Sequence, residues 1–332
     1  MSACRVALDH VDFMFCVPVW FNLALMGYRG YTDGFGRLRG TLRWLTYGVR
    51  WQVKGVLGAR RRILVDMRWR LGDEIMALPV YEALRKRYPS CHISALCNYP
   101  DLLEDNPFAD AVNEDRPRPD RYVLLHGAPR DVYRIEHYAR RAGVPAPSTR
   151  PCLYCQDWSS ALLDELPRGD GCRIAVAAGA GWPTKRWPVE NWRDLCRKLE
   201  ARGYVLVELG LPDDEPIGVG VCLVGKTRVR DAAVVLRHVS LLVCSDSGLM
   251  HLALAVGTPV LALFGPIEPS TLIRDEPLLH VIRNGRDCQG CCNIPGKVKE
   301  LGTCPLGVAS CLGPITPDAV LECVEDLIGR KR

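Results

Sequence analysis

The sequence predicts an α/β protein of two lobes, each a parallel sheet covered by helices on both faces. Three observations lead there. From residue 63 onward, short continuous apolar runs alternate with helix-length stretches, the pattern of strands buried on both sides. The stretch "AGVPAPSTRPCLYC" (142–155), rich in Pro and small residues, interrupts that alternation as a linker would. Hydrophobic residues make up 48% and charged residues 24% of 332, which is enough apolar material for two cores.

Residues 1–62 read as a basic N-terminal extension, with ten Lys/Arg against three acids in a chain of net charge +5. Leu38, Leu42, Leu45, Val49, Val53 and Val56 recur there at helical spacing, with Arg39, Arg43, Arg50 and Lys54 largely off that stripe. Such a helix either packs on its own protein or lies on an anionic membrane surface through residues 36–57. No secretory leader is expected, because Asp9, His10 and Asp12 stand where positive charge is needed. The apolar run 13–26 is too short to span a bilayer and contains Pro18 and Asn22.

The first lobe, 63–150, has candidate strands at 63–67, 92–97 and 122–126 and helices at about 73–88 and 131–143. Residues 151–167 form the linker. The second lobe, 168–314, has strands at 173–178, 204–209, 221–224, 241–245, 259–264 and 279–283, with helices near 188–202, 229–238 and 247–256. A last helix, about 316–328, closes the chain in segment 315–332. Ligands of such lobes bind beyond the carboxyl ends of the strands, so strand-to-helix turns are where chemistry is sought.

Three turns carry chemistry-bearing residues. In "DMRWRLGDEIMALP" (66–79), Gly72 permits a tight turn and Asp73 stands near a helix start. Asp73 is there either an N-cap or a general base at the crevice. In "AAGAGWPTKRWPVENW" (177–192), small residues let a ligand approach the backbone and Lys185 is placed to neutralise a phosphate, or the charges are merely solvated. Pro188 then opens a helix that Gly203 ends. In "CSDSGLMHLALAVGTPVLALFGP" (244–266), the helix start offers N–H groups of Ser247, Gly248 and Leu249 to an anion. Asp246 is a cap or a ligand-binding acid, and His251 a core histidine or a participant. No G-x-G-x-x-G follows a strand and no G-x-x-x-x-G-K-[ST] occurs, which disfavours dinucleotide oxidoreductases and P-loop enzymes.

The chain has 16 cysteines. Most lie in apolar runs as small buried thiols, and a disulfide scaffold would be shorter and poorer in core, so a reducing compartment is expected. Five of them fall in "DCQGCCNIPGKVKELGTCPLGVASCL" (287–312). Cys288, Cys291, Cys304 and Cys311 have spacings that can wrap zinc or iron. Reduced free thiols and disulfides are the competing readings, and Cys292 is a bystander.

Taken together and in order, "LGD", "WPTKRWP" and "SDSGLMHLALAVGTPVLALFGP" resemble glycosyltransferase family 9, the ADP-heptose-dependent heptosyltransferases. "GKTRVRDAAVVLRHVSLLVCSDSG" (225–248) is similar to that family's approach to its donor site. The resemblance covers residues 63 to about 328. It implies the GT-B architecture, two Rossmann-like lobes facing a cleft, with the C-terminal helix returning to the first lobe. It implies that Asp73 is the base of an inverting transfer and that Lys185 binds the donor phosphates. Asp246, Ser247, Gly248, Leu249 and His251 would form the nucleotide-sugar motif. The implied donor is ADP-heptose, the acceptor a hydroxyl on a glycan or protein, and no catalytic divalent metal is expected. An epimerase or hydrolase of GT-B fold and a non-catalytic sugar-nucleotide binder remain as alternatives. The "C-x2-C…CP…CL" tail is similar to that of many members. In the autotransporter-heptosyltransferase branch such a motif binds iron and accompanies ring-like homo-oligomers. The resemblance therefore implies a structural metal at the four cysteines, a cytoplasmic enzyme at or near the inner membrane face, and no nucleic-acid partner. The family's acidic residue near the nucleoside falls around "GLPDDE" (210–215) without a definite position. The short acceptor-side stretch 113–138 and the extension are departures from the family.

Overall fold

A computed structural model describes residues 46–55, 57–114, 118–147, 150–167, 171–294, 296, 303–304 and 311–329. The chain divides into two compact units, Met1–Arg61 and Arg62–Arg332.

In the first unit residues 46–55 are helical. Val49 and Val53 of this segment and Leu57 beyond it are exposed, and Arg61 stacks over the Trp51 ring at 4.6 Å. The predicted stripe positions Leu38, Leu42, Leu45 and Val56 lie outside the described residues. No helix among the described residues is long and apolar enough to cross a membrane.

The second unit holds two parallel sheets. The first runs β3-β2-β1-β4, with β1 Arg62–Asp66, β2 His92–Leu96, β3 Ala111–Val112 and β4 Arg121–Leu124. Helices α1 (Leu71–Arg87) and α2 (Arg134–Ala142) pack with it. The second sheet has the order β10-β9-β8-β5-β6-β7. Its strands are β5 Arg173–Ala177, β6 Val205–Glu208, β7 Val221–Cys222, β8 Leu241–Ser245, β9 Val260–Leu263 and β10 Leu279–Ile282. Their connections are α3 (Val189–Ala201), α4 (Val229–Arg237) and α5 (Gly248–Ala255), and α6 (Pro317–Gly329) ends the chain. Strands β8 and β9 are buried at every position, which is why they read as unbroken apolar runs. The α/β class with parallel sheets is as expected.

Local chemistry accounts for the boundaries. Pro188 precedes α3, and Gly203, at φ +81°, turns the chain out of it while its N–H bonds Glu200 O at 2.9 Å. The second-lobe core joins Trp192, Leu195 and Leu199 of α3 to Ile174, Val176 and Leu206 of the sheet, and Trp187 meets Trp192 edge-on at 4.9 Å.

Helix α6 departs from expectation. It was expected to return to the first lobe. Instead it buries Val320, Leu321, Val324 and Ile328 in this second-lobe core. Each such side chain contributes roughly 1.5–3 kcal/mol, enough to hold the helix there. The Trp187 indole donates to Ile315 O at 3.0 Å, and Lys198 of α3 and Arg202 just past its end pair with Asp318 and Glu325.

Candidate active site at the strand ends

In both sheets the strand order reverses beside the first strand, which has a neighbour on either side: β1 lies between β2 and β4, and β5 between β6 and β8. Crevices at such switch points are where open α/β sheets bind ligands. The Asp73 turn follows β1, the Lys185 turn follows β5, and Asp246 follows β8. Asp73 and Lys185 thus stand beyond the carboxyl ends of the two switch-point strands, and Asp246 beyond that of the neighbouring β8.

Asp73 is not a cap. Helix α1 begins two residues earlier, at Leu71, with Arg70 in the N-cap position and no side-chain cap bond. The Asp73 side chain instead accepts the Tyr138 hydroxyl at 2.7 Å. Tyr138 is almost fully buried; burial first, and then the Asp73 charge, push its phenol well above the ordinary range, so it stays a donor. One carboxylate oxygen is thereby fixed, and the other is left for a second partner.

On the second lobe, Lys185 Nζ lies 2.6 Å from Asp246 Oδ2, an ion pair with side chains 15% and 5% exposed. Helix α5 begins at Gly248, with Ser247 as N-cap and no side-chain cap bond. Its first N–H groups therefore have no intrahelical or capping partner. His251, one turn in, is buried. Burial lowers its pKa most, Asp246 and Asp73 pull the other way, and Lys185 opposes them, with a lowered net value. His251 is therefore neutral near pH 7, and it feels all three of the other predicted groups.

Two glycines bring the lobes to this distance. A Cβ at Gly72 would lie 2.8 Å from His251 Cδ2, and one at Gly248 would lie 2.9 Å from Leu71 Cβ. The N-termini of α1 and α5 meet where side-chain atoms are absent.

Several neighbours of the site were not singled out from the sequence, although Glu74 and Trp182 lie within the motifs. Glu74, beside Asp73, points inward and accepts the backbone N–H groups of Trp69 (3.1 Å), Asn98 (2.8 Å) and Tyr99 (3.0 Å). Desolvation raises its pKa and those hydrogen bonds only partly offset it. Asp214, from the acidic stretch without a definite position, packs against Gly179, where a Cβ would fall 2.2 Å from its Oδ2. Its carboxylate accepts the Leu211 N–H at 2.8 Å. The Trp182 ring has Lys185 Nζ 4.5 Å from its centroid and Arg70 Cζ at 5.5 Å. Asp214 had a sequence signal in the acidic run of 213–215, and Trp182 stands at the head of "WPTKRWP".

The described residues of the cysteine stretch lie against the second lobe. Cys311 packs on Gly265, and its thiol is pushed up to about 11 by burial and then by Cys304, Cys291 and Cys288. The four predicted thiols therefore share a neighbourhood, and their donor chemistry suits zinc or iron. Among the described residues, however, no three His, Cys, Asp or Glu side chains are arranged to hold a metal ion. Cys292 feels Cys291, Arg130 and Lys185. Cys152 and Cys155 of the linker are free thiols.

Two doubly wound lobes, with charged residues from both at their switch points, are the GT-B arrangement of nucleotide-sugar transferases. The model of glycosyltransferase family 9 (heptosyltransferase) matches residues 132–301, and the chain belongs to that family. It is 31% identical over 195 residues to lipooligosaccharide heptosyltransferase 2 of Haemophilus influenzae, covering 52% of this chain and 50% of that protein. Lipopolysaccharide heptosyltransferase 2 of Salmonella typhimurium is also 31% identical, over 193 residues, covering 54% and 51%. The chain spans about half the length of these relatives. Among solved structures, E. coli ADP-heptose LPS heptosyltransferase II superposes with a TM-score of 0.65 at 22% identity, over 82% of this chain and 99% of that one. The iron-containing dodecameric glycosyltransferase TibC from enterotoxigenic E. coli gives 0.67 at 18% identity, over 82% and 77%. At those identities the likeness is one of fold.

Proposed function

We propose that this chain transfers a heptose, with inversion, from ADP-heptose to a hydroxyl of a glycan acceptor. The observation that carries the reading is the convergence of Asp73, Lys185 and Asp246 around one neutral buried histidine, His251. Family membership supports the donor, since the relatives are named lipopolysaccharide or lipooligosaccharide heptosyltransferase 2.

In this mechanism the free oxygen of Asp73 takes the acceptor's proton as the acceptor oxygen attacks the anomeric carbon. The bond from that carbon to the diphosphate oxygen breaks, and its electron pair stays on the phosphate. Lys185 and the uncapped N–H groups of Ser247, Gly248 and Leu249 at the start of α5 stabilise the charge that develops there. Asp246 holds Lys185 in place, and the Tyr138 hydroxyl fixes Asp73. No bound divalent metal is required for this sequence of events.

The test is mass spectrometry of candidate acceptors, saccharides and hydroxyl-bearing proteins alike, incubated with ADP-heptose. Acceptor mass should rise by one heptose, and Asp73→Ala should abolish the gain while ADP still binds. Free heptose or an isomer formed without acceptor would point to hydrolase or epimerase chemistry. Full transfer by Asp73→Ala would remove the base from the scheme.

Cys288, Cys291, Cys304 and Cys311 are proposed to hold one structural zinc or iron ion, supported by their shared neighbourhood. Elemental analysis of protein with and without Cys288→Ser tests this. A cytoplasmic site at the inner membrane face fits the exposed Val49, Val53 and Leu57 beside Arg50 and Lys54. Flotation with anionic against neutral vesicles tests it. Homo-oligomerisation is read by light scattering.

A further inference from the structure

Arg70 is the last residue before α1, three positions ahead of Asp73, and its side chain is exposed. It belongs to the first lobe but reaches the second. Its Cζ lies 5.5 Å from the Trp182 ring centroid, and a Cβ built on Gly181 would lie 3.5 Å from its Nη1. Lys185 Nζ stands 4.5 Å from that same ring. The two charged centres are therefore within roughly 10 Å of each other, about one Debye length at roughly 0.1 M salt. Among the described residues Arg70 pairs with no carboxylate. The other arginine of this turn, Arg68, is committed: its guanidinium forks onto Asp66 at 3.0 and 2.6 Å.

The charge balance of the site gives Arg70 a task. Lys185 is offset by Asp246, His251 is neutral, and Asp73 adds one carboxylate. Without another cation the assembled groups sum to a negative site, which would repel a nucleoside diphosphate sugar and its two negative charges. Helix α5 contributes only a partial positive charge. Adding Arg70 brings the side chains to neutrality, and its bare guanidinium can fork onto a phosphate. The reacting carbon must lie between Asp73 and the phosphate that leaves. A cation projecting from the Asp73 turn therefore meets the outer phosphate, the one bonded to the sugar.

We infer that Arg70 is a second phosphate-binding residue, contributed by the acceptor-side lobe, which grips the outer phosphate of the donor alongside Lys185. The inference rests on the nucleoside-diphosphate-sugar reading above. It also couples that phosphate to the base, because Arg70 and Asp73 lie on one rigid turn. As the carbon–oxygen bond breaks, the electron pair settles on the phosphate oxygen facing Arg70 while Asp73 receives the acceptor's proton.

Isothermal titration of the full chain with ADP and with AMP tests it without knowledge of the acceptor. Wild type should prefer ADP. Arg70→Ala should weaken ADP by about tenfold or more, the scale of one lost charge-assisted hydrogen-bonded pair, and leave AMP within about twofold. Arg70→Lys should recover part of the loss. ADP affinity in Arg70→Ala equal to wild type would overturn the role. So would equal losses for ADP and AMP, which a merely structural contact with Trp182 predicts. Failure of wild type to bind ADP or ADP-heptose would sink the donor reading itself, a separate outcome.

Discussion

Gly72→Ala isolates the spacing between the two lobes. The new methyl carbon would lie 2.8 Å from His251 Cδ2 and 3.3 Å from Nε2, where ordinary contacts run from 3.4 to 4 Å. The gap must open by at least about 0.6 Å, and the buried His251 ring has little room to yield. Two effects on stability oppose each other. Overpacking costs about 1–3 kcal/mol, while alanine in place of a helical glycine returns up to about 1 kcal/mol. The melting temperature should therefore fall only slightly. Activity should fall much further, because displacing a reacting group by about 1 Å can cost on the order of a hundredfold. The assay is kcat/KM for heptose transfer alongside thermal unfolding, in wild-type and His251→Ala backgrounds. Where the imidazole is absent the methyl has space, so the Gly72→Ala penalty should largely vanish there. An equal penalty in both backgrounds, or none in either, would refute a spacing set by Gly72 against His251.

Three further outcomes are expected. Lys185→Ala leaves Asp246 buried without its cation, so it should cost about 3–5 kcal/mol by chemical denaturation, with part restored by adding Asp246→Asn. His137 is buried with Nε2 unpartnered, and burial, aided by Arg141, lowers its pKa to about 4. For a base held neutral in the fold, stability is present above the unfolded value of about 6.5 and is lost as pH falls through about 4, by up to about 3 kcal/mol. His137→Phe should flatten the pH dependence of unfolding in that window, and an unchanged slope would assign it to other groups. Arg230 joins the lobes through Glu104 (3.0 Å) and Asp105 (3.1 Å) and is partly exposed. Arg230→Ala should cost about 1 kcal/mol at low salt, and melts at rising ionic strength should show the difference shrinking.

The parallel sheets were legible because strands buried on both faces must be apolar throughout, as in "LLVCS" and "PVLALF". Strand β3 was not, since Ala111 and Val112 are too few to show a period. Asp73, Lys185 and Asp246 could be picked out because turns after buried strands are few and these hold the charges. Tyr138 could not: it reaches Asp73 across 65 positions, and it reads in sequence as one more buried face of α2. Arg70 and Trp182 are joined only by the meeting of the lobes, and no local pattern encodes that. Glu74 could not be singled out because its three donors are backbone N–H groups, which every sequence has. The lobe that receives the last helix was not legible in its own residues, since a stripe tells which face is buried but not against what; its return to the first lobe was implied by the family resemblance alone.

Glu74 also bears on how fast the site can rearrange. Its carboxylate ties α1 to the loop after β1 through Trp69 and to the loop after β2 through Asn98 and Tyr99. Asp73 is the next residue on that helix. The Asp73 carboxylate therefore has no hinge of its own, and if it is the base proposed above, independent nanosecond loop fluctuations cannot carry it toward or away from an acceptor. Any such displacement must take the first lobe's strand ends along as one body, a collective motion of microseconds to milliseconds. Relaxation dispersion of amides around Asp73, Asn98 and Tyr99 should then report a single shared exchange rate. If that rate matches turnover, the step limiting catalysis is mechanical.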